Sequence, residues 1–442
     1  VWLNVVSNSE RIYHDPLHGA IALDRRDPTE ALLIQIIDTP AFQRLRRIRQ
    51  LGPASVTFHG AESSRFTHSL GVMAIARRAF DRIAQFYPQL RIHRTVVLCA
   101  ALLHDLGHGP FSHTAEEIFD CHHEHWTERI LRESLPIRQL LLHFDAQLLD
   151  EMIQVYHKKH PVPFVWQLIS SQLDCDRLDY LMRDSYFTGA AYGKIDLDRI
   201  LMAIGYDPVS QQLVVARKGM AAVEHYLIVR YFMYAQVYNH PKNIAATWIL
   251  EQAFNRARTL LPAGQLTADP TVTAWLTRDC DRLALSDYLN ADDGVFSYHL
   301  QRWQYEADPI LADLCRRFVD RDLFKALDIT HLHLDQHQEI LDKAHYHLAI
   351  AGFQADYYSG IRVSCSRGYT LYQKGIKIQT SVKLEEISEL SALVRTLIEP
   401  YERVWLIYPR EIETVFHSAQ ETEYRSQEIG SRGSGGRKAK GC

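Results

Sequence analysis

"LLHDLGHGPFSH", from Leu102 to His113, places three histidines and an aspartate in one short segment and interrupts them with Gly107, Gly109 and Pro110. The preceding "RTVVLCAALL" is apolar at helical spacing, and that pattern is lost at Gly107 and Gly109. The segment therefore predicts imidazoles clustered where a buried helix opens into a loop. Outward from it the same texture continues. "DPTEALLIQIIDTPAFQRLRRIRQLG" opens with Asp27 and Pro28 at N-cap and first-turn positions and carries Leu32, Leu33, Ile36 and Ile37 at helical spacing. "THSLGVMAIARRAFDRIAQFY" repeats the pattern through Leu70, Met73, Ala74, Ala76 and Phe80. The expected fold class is mainly α.

Departures from this texture predict the organisation. Near 204–217, "IGYDPVSQQLVVAR" has an Asp-Pro turn and a β-branched run, which read as a small inserted β-hairpin. Beyond about 345, "IRVSCSRGYTLYQ" and "KIQTSVKL" read as strands and "EEISELSALVRTLIEPY" as helix, a smaller C-terminal α+β region. The expected division is 1–330 for the helical core, 331–424 for the α+β region, and 425–442, rich in Gly, Ser and basic residues, for a disordered tail.

Composition narrows the classes. With 442 residues, 47% hydrophobic and 23% charged, the chain suits a globular protein with one large core. A formal net charge of -4 gives no global case for binding nucleic acid or a membrane surface. "VVLCAALL", among the longest apolar runs, is far shorter than the roughly 20 residues needed to span a bilayer. No secretion signal is read in "VWLNVVSNSE". The 7 cysteines are scattered without CxxC spacing, which argues against a disulfide framework or a thiolate zinc site and makes a reducing cytoplasm the expected compartment.

His104 and Asp105 adjoin at the helix end, and imidazole plus carboxylate suits Mn²⁺, Fe, Zn²⁺, Ni²⁺ or Co²⁺. Two ligands hold a metal poorly. Further ligands are available from His68 in "RFTHSLG" and from an aspartate in "SQLDCDRLDYLMRDSY", where Asp174 and Asp176 compete. A set of four leaves positions open for water and substrate. Taken singly, each histidine reads as a hydrogen-bonded core or cap residue, and the joint pattern is what favours a site.

"RFTHSLG", "HDLGHGPFSH" and "DCDRLDYLMRDS", in that order, resemble the H…HD…D signature of the HD-domain phosphohydrolases. The likeness is greatest to the dNTP triphosphohydrolase branch, which includes bacterial members and a mammalian enzyme that adds a sterile-alpha-motif domain. It runs from "YHDPLHGAI" to about residue 260, with a weaker echo to about 415. The resemblance implies a helical HD core and selects Asp176 over Asp174, making His68, His104, Asp105 and Asp176 the metal ligands. It implies water or hydroxide, activated at the metal, attacking the α-phosphorus to release deoxynucleoside and intact triphosphate, with Mg²⁺ a further ion on the phosphates.

By the same resemblance His108 and His113 line the phosphates. His123 and Glu124, in "HHEHWTERIL", match a His-Glu pair beside the reacting group, and which imidazole acts as the acid stays open. Arg65, Arg177, Arg230 and the "YNH" of Tyr238, Asn239 and His240 would complete a nucleotide pocket, with Gln50 and Leu51 on its wall. Tyr180 would pack where a ribose 2′-hydroxyl would clash, and Asp184 and Gln50 would bind the 3′-hydroxyl. Without the resemblance, Tyr180 and Tyr238 read as ordinary half-buried helix aromatics. Pro241 departs from the pattern, standing where relatives often carry a basic residue. A regulatory reading comes with the resemblance: Asp38, Gln43 and Arg46 match a guanine-nucleotide activator site between subunits, and Arg199, Arg217 and Lys218 match a second, dNTP site. Activator binding would then assemble a homotetramer. On its own, "RLRRIR" reads equally as a solvated basic helix face. The rival readings are an HD phosphohydrolase of another phosphoester and a nucleotide-responsive binding protein.

Overall fold

Residues 9–371 and 375–416 are described by the computed structural model. A hairpin of β1 (Glu10–Asp15) and β2 (Gly19–Asp24), paired from Glu10↔Asp24 to Asp15↔Gly19, leads into the helices. The sequence reading did not anticipate it, because its burial alternates only weakly along β1. Helix α1 (Pro28–Ile37) starts as expected: the Asp27 side chain accepts from the Glu30 backbone N–H at 2.9 Å, with Pro28 in the first turn.

Helix α2 (Arg65–Phe86) and helix α3 (Arg94–Leu103) form the centre. Every residue from Val96 to Leu103 is buried, so α3 is enclosed on all sides. Each of its valines and leucines contributes roughly 1.5–3 kcal/mol by leaving water. After α3 come two short helices, α4 (His113–Phe119) and α5 (His123–Glu133), and, beyond three helices between residues 135 and 167, α6 (Cys175–Thr188), which Asp174 caps at its start and Gly189, at φ 74°, closes in the left-handed conformation. Helices α2 and α6 approach closely at Gly71, where a Cβ would lie 2.0 Å from Asp179 Oδ1. Helix α7 (Met220–Met233) ends in a π turn at Tyr234–Tyr238, and α8 (Pro241–Leu260) follows. Pro241 occupies the first turn of α8, where its missing N–H costs nothing.

The inserted hairpin is present as β3 (Ile204–Asp207) and β4 (Gln212–Ala216), but it is not isolated. Strands β5 (Lys325–Asp328), β6 (Gly360–Ser366), β7 (Lys377–Gln379), β8 (Leu384–Glu386) and β9 (Tyr401–Tyr408) complete two sheets of order β3-β4-β7-β8 and β5-β9-β6. Both sheets join chain from either side of residue 330. The stretch read as one C-terminal helix is two short ones, Ile387–Leu390 and Ala392–Thr396, broken at Ser391, which instead caps the second. The tail at 425–442 lies outside the described residues.

The cysteines need one correction. Cys121 and Cys280, 159 residues apart, are disulfide-bonded with their Cα atoms 5.4 Å apart, a pairing no local spacing reveals. No helix among the described residues is long and apolar enough to cross a membrane.

Candidate active site

The end of α3 and the faces of α2 and α6 bring His68, His104, Asp105 and Asp176 together. His68 Nε2 lies 3.1 Å from Asp176 Oδ1 and 3.5 Å from Asp105 Oδ2. His104 Nε2 lies 3.2 Å from Asp105 Oδ1 and 3.6 Å from Asp176 Oδ1. Asp174 faces elsewhere: its carboxylate accepts from the Ser171 and Arg177 backbone N–H groups at 2.7 and 2.8 Å. It is buried.

Both imidazoles are oriented from behind. His104 Nδ1–H donates to the Ala101 carbonyl at 2.9 Å, and His68 Nδ1–H donates to Asp179 Oδ2 at 2.7 Å. Both rings thereby present Nε2 to the site, the nitrogen a metal ligand held in this way would use, with His68 Nε2 hydrogen-bonded to Asp176 Oδ1 at 3.1 Å. His104 Nε2 is buried without a hydrogen-bond partner. Burial alone would push the His68 imidazole down, but its bonds to Asp176 and Asp179 outweigh that and raise it to about 10. Burial likewise works to raise Asp105, and His104, Arg65 and His108 hold it well below the ordinary carboxylate range. Two imidazoles and two carboxylates fit a divalent transition ion by charge as well as by atom type.

Behind Asp179 lies a network absent from the sequence reading. Asp179, fully buried, accepts from His18 Nε2 at 2.6 Å and from Arg183 Nε and Nη2 at 2.7 and 3.0 Å. Arg183 Nη1 reaches Asp15 Oδ2 at 2.9 Å, and Asp15 Oδ1 caps the turn by accepting from the Leu17 and His18 backbone N–H groups. The "HDPLHG" turn of the first hairpin thus supports His68 through Asp179.

A second group surrounds Glu116. His123 Nδ1 lies 2.5 Å from Glu116 Oε1, and His113 Nδ1 lies 3.2 Å from Oε2. His108 stacks on His123 with ring centroids 4.0 Å apart. The carboxylate that holds His123 is therefore Glu116, whereas Glu124, named with it on sequence grounds, is exposed and lines the cavity next to it. Glu116 is three residues after His113 on α4, a spacing that could have indicated it. Gly107 lets α5 approach, since a Cβ there would lie 2.1 Å from the His123 carbonyl oxygen. Phe111 and Ser112 both have positive φ, 59° and 57°, a conformation costly for these residues. Asp293 accepting from Phe111 N–H at 2.7 Å and Arg65 Nε donating to Ser112 Oγ at 2.9 Å hold it.

Asp105, Asp176, His108, His113 and His123 line one cavity of about 540 Å³, within the range of small-molecule sites. Its walls include Gln50, Leu51, Arg65, Arg177, Tyr180 and Asp184, together with Tyr238 and Asn239 of the π turn. Arg65 Nη1 donates to Asp105 at 2.6 Å. Tyr238 donates to Asp184 Oδ2 at 2.9 Å and meets Tyr180 edge to face. Gln50 Oε1, Asp184 Oδ1 and Arg177 Nε are buried with no partner. Two expected members do not line it: Arg230 is buried and donates to Gln172 at 2.9 Å, and His240 lines a separate basic cavity with Lys242, Arg321, Lys325 and Arg410.

Burial raises the Asp184 carboxyl to about 7, with Tyr238 opposing. A raised carboxyl stabilises the fold below the unfolded value near 4 and loses that contribution as pH climbs through 7. Asp184→Asn is therefore expected to be more stable than the parent at pH 8, on the order of 2–4 kcal/mol, with the gap closing toward pH 4. Denaturant titrations across that range check it, and a pH-independent gap would contradict it.

The residues expected to bind activators lie apart from the cavity. Asp38 pairs with Arg11, Gln43 accepts from Arg46 at 2.7 Å, and Arg46 stacks 3.6 Å over the Phe66 ring. Arg199, Arg217 and Lys218 are exposed around the β3–β4 hairpin.

The chain matches the HD domain over residues 65–184 and the HD associated region over 195–408. An uncharacterized Bacillus subtilis protein, YwfO, is 37% identical over 88% of this chain and 90% of its own length. A Dictyostelium discoideum protein named deoxynucleoside triphosphate triphosphohydrolase SAMHD1 homolog is 27% identical over 72% of this chain and 60% of its own length. The crystal structure of a phosphohydrolase from Bacteroides thetaiotaomicron superposes with a TM-score of 0.79 at 29% identity, covering 91% of this chain and all of that one.

Proposed function

Because the chain belongs to the HD-domain phosphohydrolases that carry an HD-associated region, we propose that it is a metal-dependent dNTP triphosphohydrolase, releasing deoxynucleoside and inorganic triphosphate. The observation that carries this reading is that one cavity joins Asp105 and Asp176, with His68 and His104 against them, to Arg65, Arg177, His108, His113 and His123, and is also lined by Asp184, Tyr180 and Tyr238. A divalent ion bound there supplies Lewis acidity toward a phosphoryl oxygen and makes water nucleophilic near neutral pH.

The protein groups do the rest. Arg177 and Arg65 offer planar donors to phosphate oxygens. Glu116 keeps His123 oriented toward the cavity, and either His113 or His123 protonates the departing 5′-oxygen. The partnerless Asp184 Oδ1 and Gln50 Oε1 are acceptors suited to a sugar hydroxyl. Tyr180 limits the space beside that hydroxyl and so disfavours a ribose.

Regulation by GTP, dGTP or another dNTP through Asp38, Gln43 and Arg46 on one side and Arg199, Arg217 and Lys218 on the other, in a homotetramer in the cytoplasm, is part of the same proposal. The experiment is to incubate the protein with Mn²⁺ and the four dNTPs, singly and mixed, with and without GTP, and resolve products by ion-exchange chromatography. Deoxynucleoside and intact triphosphate are expected, and no hydrolysis in any mixture would overturn the reading. Tyr180→Ala is expected to narrow the preference for dNTP over rNTP by about tenfold, the scale of one lost steric contact in a pocket. An unchanged ratio would place sugar selection elsewhere.

A further inference from the structure

Glu116 stands at the hub of three imidazoles that turn the same ring nitrogen toward it. His123 Nδ1 is 2.5 Å from Oε1, His108 Nδ1 is 3.4 Å from Oε1, and His113 Nδ1 is 3.2 Å from Oε2. We propose that His108, His113, Glu116 and His123 form a second site for a borderline divalent ion of the Zn²⁺ type, separate from the set at His68, His104, Asp105 and Asp176.

Three observations support it. One donor atom from each of the four residues lies within 4.8 Å of all the others, so a single ion can be reached by all with small side-chain adjustments. Three imidazoles and one carboxylate are the donor types that Zn²⁺ takes. His108 is only 1% exposed, and neither of its ring nitrogens makes a hydrogen bond. A buried imidazole with both nitrogens unsatisfied is short of a partner, and an ion bound with Glu116 supplies one.

The backbone is also prepared. His113 and Glu116 sit three residues apart on α4. His123 opens α5, two residues after Cys121, which the bond to Cys280 ties down. His113, with its side chain 64% exposed, leaves an entry path from solvent. The two donor sets meet where His108 Nε2 lies 3.3 Å from Asp105 Oδ1.

The consequence for turnover rests on the proposed function. An ion at this second site takes the Glu116 carboxylate and the Nδ1 lone pairs, so the rings can no longer form the imidazolium that delivers a proton from Nε2 to the leaving oxygen, and turnover should rise with the first equivalent of Zn²⁺ and fall with the second. The binding test needs no substrate. Full-length protein stripped with a chelator is titrated with Zn²⁺ alone by calorimetry, and bound metal is counted by mass spectrometry after desalting. Two ions per chain are expected, one in Glu116→Gln, one in His123→Ala, and one in His104→Ala. A single ion in the parent, or two retained in Glu116→Gln, overturns the proposal. Co²⁺ provides a readout on the unmutated chain: the second equivalent should add a d–d absorption band, and its absence counts equally against the site. Two bound ions without dNTP hydrolysis would keep this site and refute the proposed function, and hydrolysis with one ion would do the reverse.

Discussion

Asp176→Ala is expected to lose the metal of the first donor set and to lower turnover by about 10³-fold or more, the scale on which single electrostatic catalytic groups act. Asp176 Oδ1 is the carboxylate oxygen nearest His68 Nε2, at 3.1 Å, and also lies 3.6 Å from His104 Nε2. Removing it leaves two imidazoles and Asp105, whose Oδ2 is already engaged by Arg65 at 2.6 Å. The helix around it keeps its cap at Asp174, and the Asp176 side chain is 28% exposed, so the fold should survive. Metal content by mass spectrometry, turnover and circular dichroism together check the prediction. Metal retained at the parental level with full turnover would remove Asp176 from the site.

The second large effect is expected on stability. Asp179→Ala deletes an acceptor shared by Arg183, His68 and His18 in a region with no access to water. Arg183 would keep only its bond to Asp15. Breaking a buried charge pair by removing one partner costs about 3–5 kcal/mol, because the remaining charge stays buried. Asp179→Asn keeps the shape and removes the charge, and it should instead weaken metal affinity by about 10–100-fold by loosening His68. Denaturant midpoints measure the first effect and competition titration with Mn²⁺ the second. Unchanged affinity in Asp179→Asn would mean that packing alone orients His68.

Gly71 and Asp179 illustrate how much of this could be read in advance. "RFTHSLG" and "DCDRLDYLMRDS" identify the helices and the residues that carry the chemistry. That Gly71 is small so that α2 can approach the Asp179–Arg183 pair is visible only when the two helices are packed.

By itself the sequence determined the helical class, the capped start of α1, the inserted hairpin, and the histidine and aspartate set gathered near the end of α3. These depend on periodicity and short spacing, which act within a few turns of one element. Only the tertiary structure decided that Glu116 rather than Glu124 holds His123, that Arg230 turns to Gln172, that Cys121 meets Cys280, and that His18 supports His68 through Asp179, which lies 161 residues from His18. The pairing of β5 with β9 and of β4 with β7 belongs with these. Such contacts are chosen by which buried polar groups find partners once the helices pack, a condition on the whole core that no local pattern encodes.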